Sequence, residues 1–200
     1  MLPEEKLKRF LQKELGLPVV DPFVVHRFGH GQSNPTYYVK LGNEELVLRK
    51  KPSGPLLPRA HQIDREYKVM KALQNMVPVP KVLLYNENLL DTPFYIMKYI
   101  NGRIFVDPTL TDMEPRERKE IYGAALETLA TLHAVDWYSA GLENYGRADG
   151  YMARNLQRWA RNYEMAKTEE IPEMQKLLQF LKENLPEDGQ NVVLVHGDFR

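Results

Sequence analysis

The tripeptide His196-Gly197-Asp198, near the end of a 200-residue sequence, has the residue types and the setting for acid–base chemistry. It follows residues 192–195, an apolar and β-branched run that predicts a short buried strand. A carboxylate in the loop after such a strand can accept the proton of a substrate hydroxyl, which is the base step of phosphoryl transfer. Arg200 is close enough in sequence to contact the transferring group. The alternative is a surface turn in which Asp198 caps a neighbouring element.

A glycine-containing loop with Gly29, Gly31, Ser33 and Asn34 lies between two predicted strands and is a candidate for phosphate binding. Glycines let backbone N–H groups approach phosphate oxygens closely, and the Ser33 hydroxyl adds a further donor. The loop is not a Walker loop, because no Gly-Lys-Ser/Thr follows it and no helix begins there. A simple tight turn between the strands is the alternative.

Arg49 and Glu66 are predicted to form an ion pair. Arg49 ends a strand predicted over residues 45–49, and Glu66 lies in a helix predicted over residues 61–75. At about 100° per residue, Glu66 falls on the apolar face of that helix, where a carboxylate is costly unless a cation pairs with it. Arg49 is the candidate cation. The alternatives are a solvated strand end at Arg49 and a Glu66 that reaches water at the edge of the face.

An apolar strand predicted over residues 94–99 runs into an Asn101-Gly102 hinge. The backbone groups from Met97 to Ile100 are candidates for contacting the edge of an adenine ring, which would make this a cofactor-binding segment. The alternative is a plain core strand, and the segment taken by itself favours that alternative.

Composition and charge exclude several classes of protein. Lys plus Arg and Asp plus Glu both number 27, so the formal net charge is zero, and the chain is a poor candidate for binding nucleic acid by counterion release. The absence of cysteine excludes disulfides, cysteine-ligated zinc and a thiol nucleophile. The histidines share no metal-ligand spacing, so the sequence assigns no metal site. No apolar run approaches the ~20 residues of a membrane span and no secretory signal is evident, so we expect an intracellular protein without a transmembrane segment.

Strand patterns dominate the first half of the chain and helical patterns the second, which predicts the α+β class. We expect an N-terminal lobe over residues 1–99, a hinge at 100–103 and a helical C-terminal lobe over 104–200. Thr111 and Glu114 have the spacing of a capping box. Strands are predicted over residues 23–28, 36–41, 45–49, 81–85 and 94–99, and helices over residues 4–15, 61–75, 111–132, 151–167 and 172–185.

Taken together and in this order, these motifs resemble those of the aminoglycoside phosphotransferase/choline kinase-like family. Within that family they look most like the kinase-like domain at the N-terminus of acyl-CoA dehydrogenase family members ten and eleven. The resemblance covers about residues 23–200. It is carried by residues 29–37, 46–52, 60–61, 65–66, 77–80, 94–97, 132–135 and 196–200.

The resemblance implies a two-lobed protein-kinase-like fold that uses ATP and Mg²⁺. It implies that the glycine loop covers the ATP phosphates, that Arg49 and Glu66 pair beside them, and that Asp198 is the catalytic base. The expected acceptor is a hydroxyl group of a small molecule. The acyl-CoA dehydrogenase relatives imply 4-hydroxyacyl-CoA in fatty acid breakdown and a mitochondrial or peroxisomal location. FAD would belong to a dehydrogenase region that is absent from this chain.

Two departures from the family pattern change these expectations. Arg49 stands where kinase folds use a lysine, and arginine is not a silent replacement. The asparagine and the later aspartate that hold metal in this family would follow Arg200, where the sequence ends. We therefore expect an incomplete C-terminal lobe, little or no phosphotransferase activity from this chain alone, and self-association through uncovered apolar surface. A non-catalytic nucleotide-binding or protein-interaction module, and an unrelated α+β domain, stay open as alternatives.

Overall fold

The strands and helices form where the sequence predicts them, with two exceptions given below. The structure is a computed structural model that describes residues 2–18, 22–29, 34–54, 61–147, 149–187, 189 and 191–199. None of the helices in these ranges has the length and apolar character needed to cross a lipid bilayer. In chain order the elements are α1 (Glu4–Leu15), β1 (Phe23–Arg27), β2 (Thr36–Leu41), β3 (Glu44–Lys50), α2 (Ile63–Leu73), β4 (Val82–Asn86), β5 (Phe94–Lys98), α3 (Pro115–His133), α4 (Tyr151–Ala166) and α5 (Pro172–Glu183).

The five strands form one antiparallel sheet in the order β1-β2-β3-β5-β4, with β3 at its centre. A two-residue turn at Gly42 and Asn43 joins β2 to β3, and Gly42 has a φ of 60°. Glycine adopts this left-handed backbone without the steric strain that a Cβ atom causes, so the hairpin forms at the predicted position. The turn sets the register of β2 against β3 and places Thr36 directly opposite Arg49.

Different helices cover the two faces of the sheet. α1 packs on one face through Leu7 and Leu11, in a buried cluster that includes Leu48 of β3. Because side chains alternate between the faces along a strand, the next residue, Arg49, points to the opposite face. α2 packs on that second face, where Ile63 belongs to another buried cluster. The alternation of β3 therefore directs its cationic end toward α2.

The helix α2 also contacts the helical half of the chain. Its last residue, Leu73, shares a buried cluster with Leu132 of α3 and with Leu142 in the turns after α3. In its first turn, the Arg65 guanidinium lies 3.9 Å from the centroid of the Tyr145 ring, which is a cation–π contact. α2 is therefore attached to the helical half near both of its ends.

The helices α4 and α5 contribute no buried side chain to the described part of the fold. They pack on each other, and each presents large apolar side chains to water. Self-association through this surface stays a prediction. The exposed side chains are Tyr151, Met152, Trp159 and Met165 of α4 and Leu177, Phe180 and Leu181 of α5.

The prediction of a strand over residues 192–195 is wrong. The segment is irregular, and its three valines are between 39% and 59% exposed. A strand is stable only when its backbone N–H and C=O groups pair with a neighbouring strand, and none of the described strands lies beside this segment. The apolar, β-branched residues supply the propensity for a strand but not the partner.

The prediction of a capping box at Thr111 and Glu114 is also wrong. α3 begins at Pro115, with Glu114 at its N-cap and no side-chain capping bond. Proline has a backbone φ already suited to the first turn of a helix and lacks an N–H that would need a partner. The Thr111 hydroxyl donates instead to Asp107 Oδ2 at 2.9 Å. Hydrogen bonds from Thr109, and then from Thr111, lower the pKa of Asp107 to about 2.

Replacing Leu11 with alanine should remove much of the contact between α1 and the sheet. Leu11 is fully buried, so the substitution leaves a cavity, and we expect the free energy of unfolding to fall by about 2–5 kcal/mol. The matched control is Arg9→Ala on the exposed side of α1, with an expected change within about 0.5 kcal/mol. Urea unfolding followed by circular dichroism measures both. Equal effects of the two substitutions would contradict the packing of α1 on the sheet.

Candidate functional site

Arg49 and Glu66 form the ion pair that the sequence predicts. Arg49 Nε donates to Glu66 Oε2 at 2.7 Å and Arg49 Nη2 donates to Oε1 at 3.3 Å, so both carboxylate oxygens are engaged. The two side chains are 28% and 33% exposed, which places the pair at a surface that water reaches rather than in the core. A bidentate pair of this kind fixes the plane of the guanidinium as well as balancing its charge.

Two neighbours on the sheet complete the surroundings of Arg49. Thr36 of β2 and Tyr95 of β5 are its cross-strand partners, so the three side chains share one face of the sheet. Arg49 Nη1 donates to Thr36 Oγ1 at 3.0 Å, and the Tyr95 hydroxyl donates to Glu66 Oε2 at 3.3 Å. The guanidinium has more N–H groups than the bonds to Thr36 and Glu66 use.

The surroundings keep Arg49 charged and Tyr95 protonated. Burial acts to lower the pKa of the Arg49 guanidinium, but the hydrogen bond and the charge of Glu66 outweigh it and the pKa is raised. Burial raises the pKa of the Tyr95 phenol far above its usual value, and the negative charge of Glu66 raises it further. Tyr95 is therefore a hydrogen-bond donor throughout the physiological pH range and does not become a competing anion beside Arg49.

Asn34, the last residue of the predicted glycine loop, is joined to this ion pair. Asn34 Nδ2 donates to Glu66 Oε1 at 2.7 Å, and Asn34 Oδ1 lies 2.8 Å from His61 Nδ1. The backbone carbonyl of Asn34 accepts a hydrogen bond from Thr36 Oγ1 at 2.9 Å. Because Asn34 is only 4% exposed, these bonds replace the water that its polar groups would otherwise bind. They attach the end of the glycine loop to both α2 and the sheet.

Thr36, His61 and Tyr95 are residues of this site that the sequence interpretation missed. A signal for Thr36 was present, because a two-residue turn at Gly42 fixes the register that sets Thr36 opposite Arg49. Tyr95 depends on the pairing of β3 with β5, which are not consecutive in the chain. His61 has a φ of 56°, and no pattern in the sequence reports that backbone conformation.

Gly29 is the other glycine-loop candidate that the structure describes. It follows β1, and among the described residues a methyl group added at its Cα would contact nothing within 4 Å. Gly31, Ser33 and Arg200 lie outside the described residues. The phosphate-covering role of Gly29, Gly31 and Ser33, and the proposed contact of Arg200 with a transferring group, stay predictions.

The predicted adenine-binding segment from Met97 to Ile100 begins within β5 and continues past its end. The backbone N–H groups of Lys98 and Tyr99 donate to carbonyl groups elsewhere in the chain, at 2.9 and 3.1 Å. Ile100 is the first residue after these bonds, and it is 63% exposed. The role of the segment in contacting an adenine ring stays a prediction.

Asp198, the predicted base, is exposed in a loop whose backbone depends on Gly197. Gly197 has a φ of 80°, in the left-handed region that glycine adopts without strain. The backbone N–H of Asp198 donates to His196 Nδ1 at 3.3 Å. This bond and the turn at Gly197 give the tripeptide a bent local structure instead of an extended one.

The segment before Asp198 is anchored to the cluster that also holds α2. Leu194 packs against the cluster that contains Leu73, and Trp137 Nε1 donates to the Val192 carbonyl at 3.1 Å. Glu66 precedes Leu73 by seven residues, or about 10 Å along the helix axis at 1.5 Å per residue. The segment thus lies near one end of α2, and convergence of Asp198 on the Arg49–Glu66 pair stays a prediction.

A double-mutant cycle on Arg49 and Glu66 should show strong energetic coupling. Removing either partner leaves the other without its bidentate contact, so we expect Arg49→Ala and Glu66→Ala to couple by about 1–3 kcal/mol. The control cycle uses Arg116 and Glu120 of α3, which are 91% and 65% exposed and should couple by about 0.5 kcal/mol or less. Urea unfolding of the single and double variants supplies both values. Similar coupling in the two cycles would refute a specifically held Arg49–Glu66 pair.

The profile of the phosphotransferase enzyme family, APH, matches residues 24–200. The chain is 45% identical over its whole length to acyl-CoA dehydrogenase family member 10 of Mus musculus, and 43% identical over its whole length to member 11 of Homo sapiens. It spans 19% and 27% of the lengths of these two relatives. The similarity is therefore confined to a part of each relative.

The solved structures that resemble this one include two that are described as phosphotransferases. The first is from Ralstonia eutropha and is described as an aminoglycoside phosphotransferase; it has a TM-score of 0.81 and 33% identity, covering all of this chain and 59% of that one. The second is the streptomycin–ATP ternary complex of APH(2″)-IIa, with a TM-score of 0.56 and 18% identity over 92% of this chain and 58% of that one, which shows the fold alone. These likenesses confirm the kinase-like α+β fold. With the family match over residues 24–200, they lead to the conclusion that the chain belongs to the phosphotransferase enzyme family.

Proposed function

We propose that the chain binds ATP through its phosphates and is part of a phosphotransferase whose activity is transfer of the terminal phosphoryl group to a hydroxyl group of a small molecule. The observation that carries the proposal is the Arg49 guanidinium, which Glu66 and Thr36 hold in one plane while donors remain for a ligand. Such a cation suits phosphate, because parallel N–H groups can reach two phosphate oxygens together. Membership of the phosphotransferase family supports the proposal.

Arg49 gives the proposed phosphate site a property that a lysine would not have. Its guanidinium reaches both oxygens of Glu66 and the hydroxyl of Thr36 at the same time. A lysine ammonium is a compact charge on a flexible stem and cannot reproduce that planar set of bonds. The orientation of the cation, and not only its charge, is therefore part of the proposed site.

Asp198 is the proposed base for the transfer. Its carboxylate would accept the proton of the acceptor hydroxyl while the hydroxyl oxygen bonds to the γ-phosphorus and the bond to ADP breaks. Arg200 is proposed to face the charge of the transferring group. Mg²⁺ would help to balance charge on the ATP phosphates. Among the described residues, no three His, Asp or Glu side chains group as metal ligands.

The proposed acceptor is a 4-hydroxyacyl-CoA. The relatives that match the whole chain are named as acyl-CoA dehydrogenase family members. A hydroxylated acyl chain can connect phosphoryl transfer with acyl-CoA metabolism. Phosphorylation converts the hydroxyl group of the acyl chain into a leaving group that an elimination can remove. FAD, a mitochondrial or peroxisomal location and the hydroxylated acceptor all stay proposals, since the chain spans about a fifth to a quarter of these relatives.

Titration with a fluorescent ATP analogue tests the nucleotide site. We expect saturable binding that Glu66→Ala weakens about tenfold, which is ~1.4 kcal/mol, because the released guanidinium must be ordered again on binding. Arg49→Lys should weaken binding similarly, because the ammonium cannot keep the planar contacts. The control, Glu120→Ala on the exposed face of α3, should bind like the unaltered chain. An absence of saturable binding by the unaltered chain would contradict the proposal.

Incubation with ATP and a 4-hydroxyacyl-CoA tests the transfer, with mass spectrometry of the acyl-CoA as the readout. Phosphorylated product should require the hydroxyl group, so an acyl-CoA of the same length without it is the matched control acceptor. We expect little or no product from this chain alone, and robust turnover would contradict that expectation. Asp198→Asn should lower any rate that is measured by about 100-fold or more, because it removes the base. Product that forms equally with this variant would refute the role of Asp198.

A protein-interaction module without catalysis is the second candidate function. The observation in its favour is the set of large apolar side chains that α4 and α5 leave exposed, including Trp159 and Phe180 at 62% and 59%. Such a module needs no nucleotide, so it predicts no saturable binding of the ATP analogue. The titration therefore separates the two candidates.

A further inference from the structure

His61 makes a contact that the proposed reaction does not use. We infer that His61 is a positioning residue: its Nδ1–H holds the side-chain amide of Asn34 in one orientation and, through Asn34, holds the Glu66 carboxylate that orients Arg49. The functional meaning of this inference rests on the proposed nucleotide site. Its structural part rests on the hydrogen-bond geometry alone.

The position of the ring proton follows from a chain of donors and acceptors that begins at Arg49. Glu66 accepts two N–H bonds from Arg49, so its oxygens act as acceptors. The Asn34 atom that lies 2.7 Å from Glu66 Oε1 must then be the donor, Nδ2. The other end of the amide, Oδ1, can only accept, so His61 Nδ1 at 2.8 Å carries the hydrogen. Turning the amide over would set oxygen against oxygen at Glu66.

The backbone of His61 adopts a conformation that costs conformational energy, which indicates that its surroundings hold this contact in place. Its φ of 56° lies in the left-handed region, which a residue with a Cβ atom occupies only when its surroundings compensate. The Ile63 N–H donates to the His61 carbonyl at 2.9 Å, so the strained residue leads directly into α2. This backbone directs the imidazole at Asn34 from the start of the helix that carries Glu66.

The burial of Asn34 makes the histidine donor important. At 4% exposure, its Oδ1 has little access to water, so loss of the His61 bond would leave an acceptor unsatisfied. The amide would then turn or shift, and its bond to Glu66 Oε1 would weaken with it. Because Asn34 also bonds to Glu66, one lost donor would loosen the orientation of Arg49.

Two substitutions of His61 distinguish the effect of losing its N–H donor from the effect of changing its backbone conformation. His61→Gly removes the donor but accepts the left-handed backbone, whereas His61→Asn keeps an N–H near the position of Nδ1 and also tolerates that backbone. We expect His61→Gly to weaken binding of the fluorescent ATP analogue about three- to tenfold, the range for one lost hydrogen bond, and His61→Asn to restore it. Equal affinities of the glycine variant and the unaltered chain would overturn the inference.

Nuclear magnetic resonance of the ¹⁵N-labelled chain tests the contact without nucleotide. At a pH at which the imidazole is neutral, long-range ¹H–¹⁵N correlations should show the His61 proton on Nδ1, and the Asn34 side-chain amide protons should exchange slowly with water because Asn34 is buried and bonded to Glu66. His61→Gly should speed that exchange, and His61→Asn should keep it slow. A neutral ring protonated on Nε2 would overturn the inference. If the unaltered chain binds no nucleotide, the proposed function fails, while the ring spectrum still decides the role of His61.

Discussion

A half-buried guanidinium at the end of the central strand is the constraint on which the site depends. Arg49 is directed to the second face of the sheet by the alternation of β3, and at that depth a cation needs an acceptor that also fixes its geometry. Glu66 is such an acceptor only because α2 packs on the same face. Tyr95 and Asn34 each donate a hydrogen bond to Glu66. The Arg49–Glu66 pair therefore connects β3, β5, α2 and the segment that contains Asn34.

Much of the fold and part of the site could be predicted from local signals. Helical and strand periodicities located the elements, and a carboxylate on an apolar helix face was enough to pair Glu66 with Arg49. The two failures depend on contacts that residue propensities do not report. Residues 192–195 have the composition of a strand, but no described strand pairs with them. The Thr111 hydroxyl donates to Asp107 instead of accepting a hydrogen bond from an N–H group at the α3 N-terminus.

The remaining parts of the site could not be predicted, because they depend on backbone geometry and on contacts between distant segments. The left-handed backbone of His61 and the turn at Gly197 are properties of φ angles that neighbouring residues impose. The place of Asp198 depends on how Leu194 packs against the cluster that contains Leu73, Leu132 and Leu142, which no spacing within the sequence encodes. The fold class is confirmed, whereas the lobe boundary at residues 100–103 stays a prediction.

The two attachments of α2 to the helical half have a consequence for control. A helix that supplies one partner of an ion pair can switch a site on and off if it is free to swing away from the sheet. Here such a swing would uncover Leu73 and separate Arg65 from Tyr145, so rotation as a rigid body is opposed at both ends. Glu66 is therefore held beside the sheet by packing that does not involve the Arg49–Glu66 pair itself.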